Sequence, residues 1–487
     1  GFKGKAEGNG HTISGLYTNA TSSYQSTLFG YCDGVTIRNF TVKGQVCSSS
    51  SYLGGIVSRV AGTSTLYGIT SQVDVTYTGT SSSCYTGGLV GWVVGSSSNK
   101  VHIEHCIVDG NISSTKNYVG GLIGYNSGNY DILTVTDCAA RGDISGGNYV
   151  GGFIPAFGGN NAAKAKITNS YVSSKITATG ASVGALWAGS YSATGISNCY
   201  SNAAYKLTTN QGIVSTATQF ANGTVAASLG NSWGQKLGVD TLPQLDCKLS
   251  LHLSDKSAFD LSSVPSVTIS DVSYTRQNLD ASGWYSCVLP FDFQLPEGVT
   301  AIGNATVEGN AINFEELSGT IEGNTPFLYR LAEAGDVTFS ATDVTVTTAT
   351  QPASGALLGT YTLIGAGEAE GKLILNHDGS AFATATETAT IPAFRAYIEG
   401  SGAGSNVYTI TIGDDPTGLA NTEQRIENNG QSSMVNGQFN AAIIAITSGT
   451  ASAPMGGSAW SAAAMEVYLS AMERGQLLHF VGASGEI

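Results

Sequence analysis

One stretch of the sequence combines residue types that bind metal ions or transfer protons. It reads His102-Ile-Glu104-His105-Cys106. Imidazole, carboxylate and thiolate groups all bind zinc. Side chains on a strand alternate between the two faces, so His102 and His105 cannot share one ion without a bulge. We therefore interpret this stretch as surface and core residues of one strand, and we predict no metal site and no cofactor.

A second chemistry to consider is the cleavage of glycosidic bonds by paired carboxylates. Enzymes that do this place two carboxylates within about 10 Å of each other. In a stack of repeats, such a pair must come from equivalent positions in adjacent coils. Alignment of the repeats places Asp109 opposite Arg141, and Asp143 opposite Asn111. Residues 144–239 contain no Asp or Glu. The first half of the chain therefore shows no column of acids.

Two alignments remain open for Asp74. The spacing of the repeats places Asp74 opposite Ile107. Matching Ser71–Asp74 to Cys106–Asp109 instead pairs the two aspartates that end these segments. In either alignment at most one acidic pair forms. We therefore predict that the chain is not an enzyme and has no catalytic residues.

The composition narrows the class of protein. Only 11% of the 487 residues are charged, against about 25% in ordinary soluble domains, and 64 are Gly. The 41% of hydrophobic residues is too high for a disordered chain, and the 10 Pro are too few for collagen. No run of about 18 apolar residues occurs, so we predict no membrane span. A large, turn-rich, all-β protein remains.

Charge divides the chain into two regions. Residues 1–240 carry a net charge of +4 and residues 241–487 a net charge of −18, which together give the overall −14. The acidic second region disfavours nucleic acid as a partner, because it would repel phosphates. Two regions of different design therefore meet near residue 240.

A repeat organises the first region. The motif Tyr, any residue, Gly-Gly and two apolar residues recurs, with spacings of 33, 33, 31 and 33 residues that include one degraded copy. Alternating segments follow each copy, as expected for half-buried strands. Stacked repeats of this kind predict a right-handed parallel β-helix or β-solenoid. The repeat glycines are Gly54, Gly55, Gly87, Gly88, Gly91, Gly120, Gly121, Gly124, Gly151, Gly152 and Gly184.

Each residue type in the motif has a physical reason. Glycine reaches positive φ and lets neighbouring backbones approach closely at a coil corner. Tyrosine would stack on its copies in adjacent coils. Alternatively, an exposed line of tyrosines would bind sugars. The candidates for ligand stacking are Tyr52, Tyr85, Tyr118 and Tyr149.

Two cysteines share an equivalent position in adjacent repeats. Cys106 and Cys138 would lie about 4.8 Å apart, within disulfide range. Their Cβ vectors would be parallel, however, so we predict stacked free thiols in the core.

The segments Gly88-Leu-Val-Gly91 and Gly121-Leu-Ile-Gly124 resemble the GLUG motif repeats of bacterial surface proteins. The resemblance covers residues 1–240 and implies a secreted or surface-anchored, adhesin-like protein, but no reaction. The opening segment 8–16 resembles the start of such arrays, so we expect the repeat region to be N-terminally incomplete. No signal peptide is present in the sequence.

The second region has many short strand patterns separated by Pro and Gly turns. We predict a linker at 241–265 and an antiparallel β-sandwich at 266–413. The segments 283–291 and 391–398 resemble a C-terminal β module of secreted Bacteroides-type proteins. A flexible linker at 414–457 and a short helical tail at 458–487 complete the prediction.

These features favour a non-catalytic extracellular or cell-surface protein of the adhesin type. It would bind glycans or host or matrix proteins, or act as a rigid spacer. The alternatives are a glycan-degrading β-helix enzyme and the non-catalytic fragment of a surface peptidase.

Overall fold

The structure is a computed structural model that is nearly all β, with 57% strand and 5% helix, as predicted. It describes residues 1–21, 26–95, 98–127, 132–156, 165–188, 195–205, 211–255, 260–348, 352–400 and 407–413, and the backbone of 452–455 and 479–482.

The first region is a parallel β-solenoid of about six turns, which confirms the predicted architecture. Its strands are β1 (Phe2–Ala20), β2 (Phe29–Ser48), β3 (Tyr52–Gly54), β4 (Val57–Ala61), β5 (Ser64–Tyr77), β6 (Ser83–Gly87), β7 (Val90–Val93), β8 (Val101–Glu104), β9 (Ile107–Val108), β10 (Ile112–Ser114), β11 (Asn117–Gly120), β12 (Ile123–Asn126), β13 (Leu133–Thr136), β14 (Ala139–Ala140), β15 (Ile144–Gly146), β16 (Val150–Gly151), β17 (Ala165–Val172), β18 (Ile176–Ala178), β19 (Val183–Gly184), β20 (Ile196–Asn202) and β21 (Ile213–Ser215).

Stacking of equivalent strands builds the solenoid core. In β13, Leu133 and Val135 are fully buried, while the alternating Thr134 and Thr136 are half-buried. Leu133 pairs with Val101 in the preceding coil and with Ala165 in the following one. A single coil cannot cover its own apolar face, so each coil depends on its neighbours for burial. The result is one continuous apolar core along the stack.

One corner of the coil is formed by a column of left-handed residues. His105 (φ 52°), Asp137 (φ 53°), Asn169 (φ 50°) and Asn198 (φ 51°) occupy equivalent places in successive coils. Short polar side chains tolerate this conformation better than other L-residues do. The amide of Asn198 donates a 2.9 Å hydrogen bond to Asn169 Oδ1, so the column is also a polar ladder.

A small outer layer covers one face of the later coils. It consists of α1 (Ala217–Ala221), α2 (Thr224–Leu229) and β22 (Trp233–Lys236). Trp233 and Phe220 pack on the outward-facing Tyr171, with ring centroids 5.1 and 5.5 Å away. Trp233 Nε1 also donates a 2.9 Å hydrogen bond to the carbonyl of Asn169. The layer is therefore fastened to the solenoid by both apolar and polar contacts.

The second region is a curled, sandwich-like β structure, as predicted in outline. A ten-stranded sheet and a five-stranded sheet dominate it, and most pairs are antiparallel. Its strands are β23 (Gln244–Leu245), β24 (Leu249–Ser254), β25 (Thr268–Ile269), β26 (Asp271–Leu279), β27 (Tyr285–Cys287), β28 (Phe293–Gln294), β29 (Val299–Glu308), β30 (Ala311–Leu317), β31 (Thr320–Ile321), β32 (Phe327–Leu331), β33 (Gly335–Ala341), β34 (Val344–Thr345), β35 (Ala353–Ser354), β36 (Leu357–Thr360), β37 (Leu373–Leu375), β38 (Ala381–Thr384), β39 (Arg395–Ile398) and β40 (Val407–Ile412).

The segment 241–265, which we predicted as a linker, contains β23 and β24. Leu249, Leu251 and Leu253 alternate along β24 and are all buried. β24 pairs in parallel with both β22 and β26. This part of the chain is therefore integrated into a sheet, because its period-2 apolar pattern gives it a face to bury.

The C-terminal residues 420–487 form a second compact unit. Its described part is a parallel pair, β41 (Ser452–Met455) with β42 (His479–Gly482). The helix predicted within 458–487 and most of the linker predicted at 414–457 lie outside the described residues. Within the described parts of the chain, no helix is long and apolar enough to cross a membrane.

Candidate functional site

The four repeat tyrosines form a column along one edge of the solenoid. Tyr52, the first residue of β3, is paired in register with Tyr85 in the middle of β6. Tyr118 lies at the equivalent place in β11, and Tyr149 directly precedes β16. The rings of Tyr118 and Tyr149 are parallel, with centroids 4.9 Å apart and planes 3° apart. The recurring tyrosines of successive coils therefore form a ladder of side chains along the solenoid.

A second row runs beside this column. Tyr31, Arg59, Trp92 and Tyr125 are register partners on β2, β4, β7 and β12. The Arg59 guanidinium lies between the two rings next to it, 4.7 Å from the Tyr31 centroid and 4.7 Å from the Trp92 centroid. A cation sandwiched between aromatic faces is held by the ring quadrupoles.

The two rows interlock diagonally. Tyr52 stacks on Trp92 of the next coil, with centroids 4.6 Å apart, and Tyr85 stacks on Tyr125 in the same way, at 4.3 Å. All members are half-buried. We call this surface the aromatic strip, and its members are Tyr31, Tyr52, Arg59, Tyr85, Trp92, Tyr118, Tyr125 and Tyr149.

The neighbours that affect Tyr85 within the strip are neutral phenols. Burial, followed by the neighbouring phenols of Tyr125, Tyr118 and Tyr52, raises the pKa of Tyr85 to about 12. Its hydroxyl is therefore a neutral hydrogen-bonding group at physiological pH. Trp92 Nε1 is buried and has no hydrogen-bond partner among the described residues.

The strip ends at Tyr149, because Ser182 takes the tyrosine position in the next coil. Tyr118 covers one face of the Tyr149 ring. No ring of the described residues packs on the opposite face. Elsewhere in the strip each ring packs on one or more other rings, whereas Tyr149 packs on Tyr118 alone among the described rings.

Sequence reasoning found the tyrosine column but missed the second row. A signal was present, since each member follows its tyrosine by seven residues: Arg59 follows Tyr52, and Trp92 follows Tyr85. The same interval separates Tyr118 from its partner in the other row. This seven-residue interval does not stand out in the sequence, because the second row has arginine at one position and tryptophan at another.

The repeat glycines are required for close approach and not for positive φ. None of those eleven glycines, all of which are described, has a positive φ, so that part of our expectation was wrong. A Cβ on Gly121 would lie 2.1 Å from the carbonyl oxygen of Gly152, and one on Gly152 would lie 2.0 Å from that of Ala185. The coils therefore stack too tightly at this corner for a side chain.

The histidine stretch does not converge on a metal site. His102 lies on β8 and its Nδ1 is 2.7 Å from Thr134 Oγ1. His105 follows the end of β8 at the left-handed corner, where its ring stacks on Tyr67 and its Nδ1 is 3.6 Å from Asp137 Oδ2. Within the described residues, no three His, Cys, Asp or Glu side chains form a group that could hold a metal ion.

A serine near this corner lies in a motif that can hold a catalytic nucleophile. Ser232 lies in Gly230-Asn-Ser-Trp-Gly234, a Gly-x-Ser-x-Gly segment that sequence reasoning overlooked. A nucleophile elbow places such a serine between a strand and a following helix. Here the order is reversed, from α2 into β22, and Ser232 Oγ donates a 2.8 Å hydrogen bond to Asp137. The Ser232 hydroxyl is therefore bonded to a carboxylate, and no histidine is bonded to it among the described residues.

Two carboxylates of the solenoid, those of Asp109 and Asp74, have a basic or a neutral partner. Asp109 lies 3.6 Å from Arg141, as the alignment predicted. Both alignments for Asp74 were wrong, because the pairing of Val75 with Ile112 places Asp74 beside Asn111, whose backbone N–H donates a 2.8 Å hydrogen bond to it.

The Cys106 and Cys138 thiols lie in adjacent coils of the core, and both are free and fully buried. Burial raises the pKa of the Cys138 thiol well above its ordinary value. Such a thiol stays protonated and is a poor nucleophile.

Comparison with known proteins adds little to this picture. No protein-family model matches the chain, and no curated protein matches it. The resemblance to GLUG repeats therefore stays a prediction. A solved structure from Bacteroides ovatus, provisionally described as an immunoglobulin A1 protease, is similar at 20% identity over 49% of this chain and 76% of that one, with a TM-score of 0.33. A similarity this low carries no argument about function, which must be argued from the chain's own surface.

Proposed function

We propose that this chain is a non-catalytic extracellular or cell-surface protein of the adhesin type, in which a rigid solenoid carries the aromatic strip as a glycan-binding surface. The observation that supports the proposal is the strip itself: seven aromatic rings and one arginine, all half-buried, in two interlocked rows. Its tyrosine column crosses four coils, about 14 Å at about 4.8 Å per coil.

The chemistry of the strip suits a neutral polyhydroxylated ligand. Sugars offer hydroxyl groups to phenol oxygens and an apolar ring face to an aromatic ring. Tyr149, which packs on one described ring only, is one place for contact with a sugar ring.

The experiment is a glycan array probed with the full chain and with strip variants. Tyr149→Ala and Tyr125→Ala are expected to weaken binding about tenfold or more, a typical loss for an aromatic contact at a binding centre. Tyr17→Ala is the matched control, because Tyr17 is 67% exposed and lies on β1, outside the strip.

Each outcome has a defined meaning. Glycan binding that the strip variants leave intact would overturn the assignment of the site. Binding to a matrix protein with no glycan binding would overturn the ligand class. No binding to either would leave the solenoid as a spacer.

The non-catalytic part of the proposal is supported by the acids of the solenoid. Asp109 is paired with Arg141, and Asp74 accepts a hydrogen bond from Asn111. A retaining or inverting glycosidase needs two carboxyl groups facing a shared space. Incubation with polysaccharides is expected to release no new reducing ends, and their release would contradict this part.

A further inference from the structure

The tyrosine column of the aromatic strip has a repeat that the coils set. Ring centroids are 5.8 Å apart for Tyr52 and Tyr85, and 5.5 Å apart for Tyr85 and Tyr118. The centroids of Tyr118 and Tyr149 are 4.9 Å apart. Paired strands of adjacent coils lie about 4.8 Å apart, which fixes the distance from one tyrosine Cα to the next. The column is therefore a regular series of aromatic side chains along the solenoid axis.

Two members of the column have a backbone conformation that tyrosine adopts rarely. Tyr118 has a φ of 61° and Tyr149 a φ of 59°. The left-handed region favours glycine, asparagine and aspartate, and it is unfavourable for a bulky aromatic residue. Local backbone preference therefore does not explain tyrosine at these two positions. Residues held in such conformations cluster at ligand-binding sites, so the strain supports a binding role for these rings.

The column offers the same neutral group once per coil. Its four tyrosines are all half-buried, so each keeps some accessible surface. A phenol is neutral at physiological pH, and its hydroxyl both donates and accepts hydrogen bonds. The cation of the strip, Arg59, belongs to the other row, where its guanidinium lies between the rings of Tyr31 and Trp92. A ligand that follows the column therefore meets repeated aromatic and hydroxyl groups.

The spacing restricts the shape of such a ligand. A ligand that contacts every tyrosine must be extended and must repeat at nearly the same interval as the coils. A pyranose sugar has an apolar ring face and several hydroxyl groups, and a tyrosine side chain can contact both. In a β-1,4-linked chain of such sugars the linkages are equatorial, so the chain is straight and each residue advances it by nearly one coil. An α-1,4-linked chain curls and leaves a straight column after one or two contacts.

We propose that the tyrosine column binds an extended, neutral β-1,4-linked polysaccharide that runs along the solenoid axis, with one sugar residue on each coil. This rests on the proposed function, because it names the ligand class and the direction of binding at the same strip. Stacked repeats form extended binding surfaces of this kind. The solenoid holds the four tyrosines in register before binding, so each added sugar gains a contact with little further ordering of the protein.

The first test is calorimetric titration of the full chain with three neutral β-1,4-linked tetrasaccharides, built from glucose, mannose or xylose. Maltotetraose is the α-linked comparison, and it is expected to bind at least tenfold more weakly than the best of the three. Tetramannuronate is β-1,4-linked but acidic, and we also expect it to bind more weakly. For the best ligand, affinity is expected to rise about threefold or more with each sugar from the disaccharide to the tetrasaccharide, as for one aromatic contact.

A variant in the middle of the column tests the register. Tyr118→Ala is expected to lower the affinity for the tetrasaccharide to about that for the disaccharide. Disaccharide binding is expected to change less than twofold, because Tyr52 and Tyr85 still form an adjacent pair. Tyr17→Ala, outside the strip, is the matched control, and thermal unfolding verifies that both variants are folded.

The outcomes separate this proposal from the proposed function. Glycan binding through the strip without the length dependence, or with equal affinity for α-linked and β-linked tetrasaccharides, would overturn the β-1,4-linked ligand and leave the glycan-binding strip in place. Tighter binding of tetramannuronate would do the same, as would an unchanged length dependence in a folded Tyr118→Ala protein. Absence of binding to every glycan would overturn both proposals.

Discussion

Arg141 and Tyr171 lie in adjacent coils of the solenoid, and Arg141 Nε donates a 2.7 Å hydrogen bond to the Tyr171 hydroxyl. That hydroxyl in turn donates a 2.7 Å hydrogen bond to the carbonyl oxygen of Pro243. Arg141 also contacts the side chain of Gln244 and lies beside Asp109. One arginine and one tyrosine therefore fasten the strand β23 to the outer wall of the solenoid.

The first prediction concerns this fastening. Arg141→Ala is expected to lower the free energy of unfolding by about 2–4 kcal/mol, because it leaves Asp109 and buried polar groups without their charged partner. Urea denaturation measures the loss, and hydrogen exchange should show faster opening of β23 and β24. Lys166→Ala on β17, at an exposed position, is the control. Equal stability of the two variants would show that the fastening contributes nothing.

The repeat architecture could be predicted because its cause is periodic in the sequence. The tyrosines and the glycine pairs recur together in four successive coils, so their spacing reveals their stacking. The second row of the strip recurs too, but Arg59 and Trp92 differ in type, and only the structure shows that both face the same side.

The register of individual acids could not be predicted from the glycine spacing. Ser71 pairs with Val108 and Val75 with Ile112, an offset of 37 residues, whereas Ile112 pairs with Ile144 at 32. Coil corners absorb extra residues in turns, and a sequence pattern does not show which corner does so.

The second prediction concerns the glycine corner, where the glycine position holds alanine only in the last coil, at Ala185. Gly121→Ala is expected to cost about 2–4 kcal/mol, because its Cβ would collide with the backbone oxygen of Gly152. Ala185 occupies the same column in β19's coil, and β19 has no strand partner beyond it in the described chain. Ala185→Gly is therefore expected to cost about 1 kcal/mol or less. Chemical denaturation compares the two, and a similar loss in both would contradict the collision argument.

The third prediction counts reactive thiols. All eight cysteines are free, and six of them are buried, while Cys47 and Cys247 are partly exposed. Under native conditions we expect a thiol reagent to label two cysteines quickly and the other six only after unfolding. Cys247 should label more slowly at neutral pH than at alkaline pH, because burial raises the pKa of its thiol. Cys47→Ser and Cys247→Ser should each remove one fast-reacting group, and rapid labelling of more than two would mean that the core opens.

The fourth prediction is an alkaline transition within the aromatic strip. Burial raises the pKa of the Tyr85 hydroxyl from 10.0 to about 12. The folded chain therefore holds this proton more tightly than the unfolded chain does. The resulting stabilisation of the folded state is complete below pH 10 and is lost as the pH rises through 12. Tyr85→Phe keeps the ring but has no proton to lose. Tyrosinate absorbance of the wild type minus that of Tyr85→Phe should show one group titrating near pH 12, and the wild type should lose more stability than the variant between pH 10 and 12. The other buried tyrosines are common to both proteins, so a difference curve centred near pH 10 would show that the Tyr85 hydroxyl is not held within the strip.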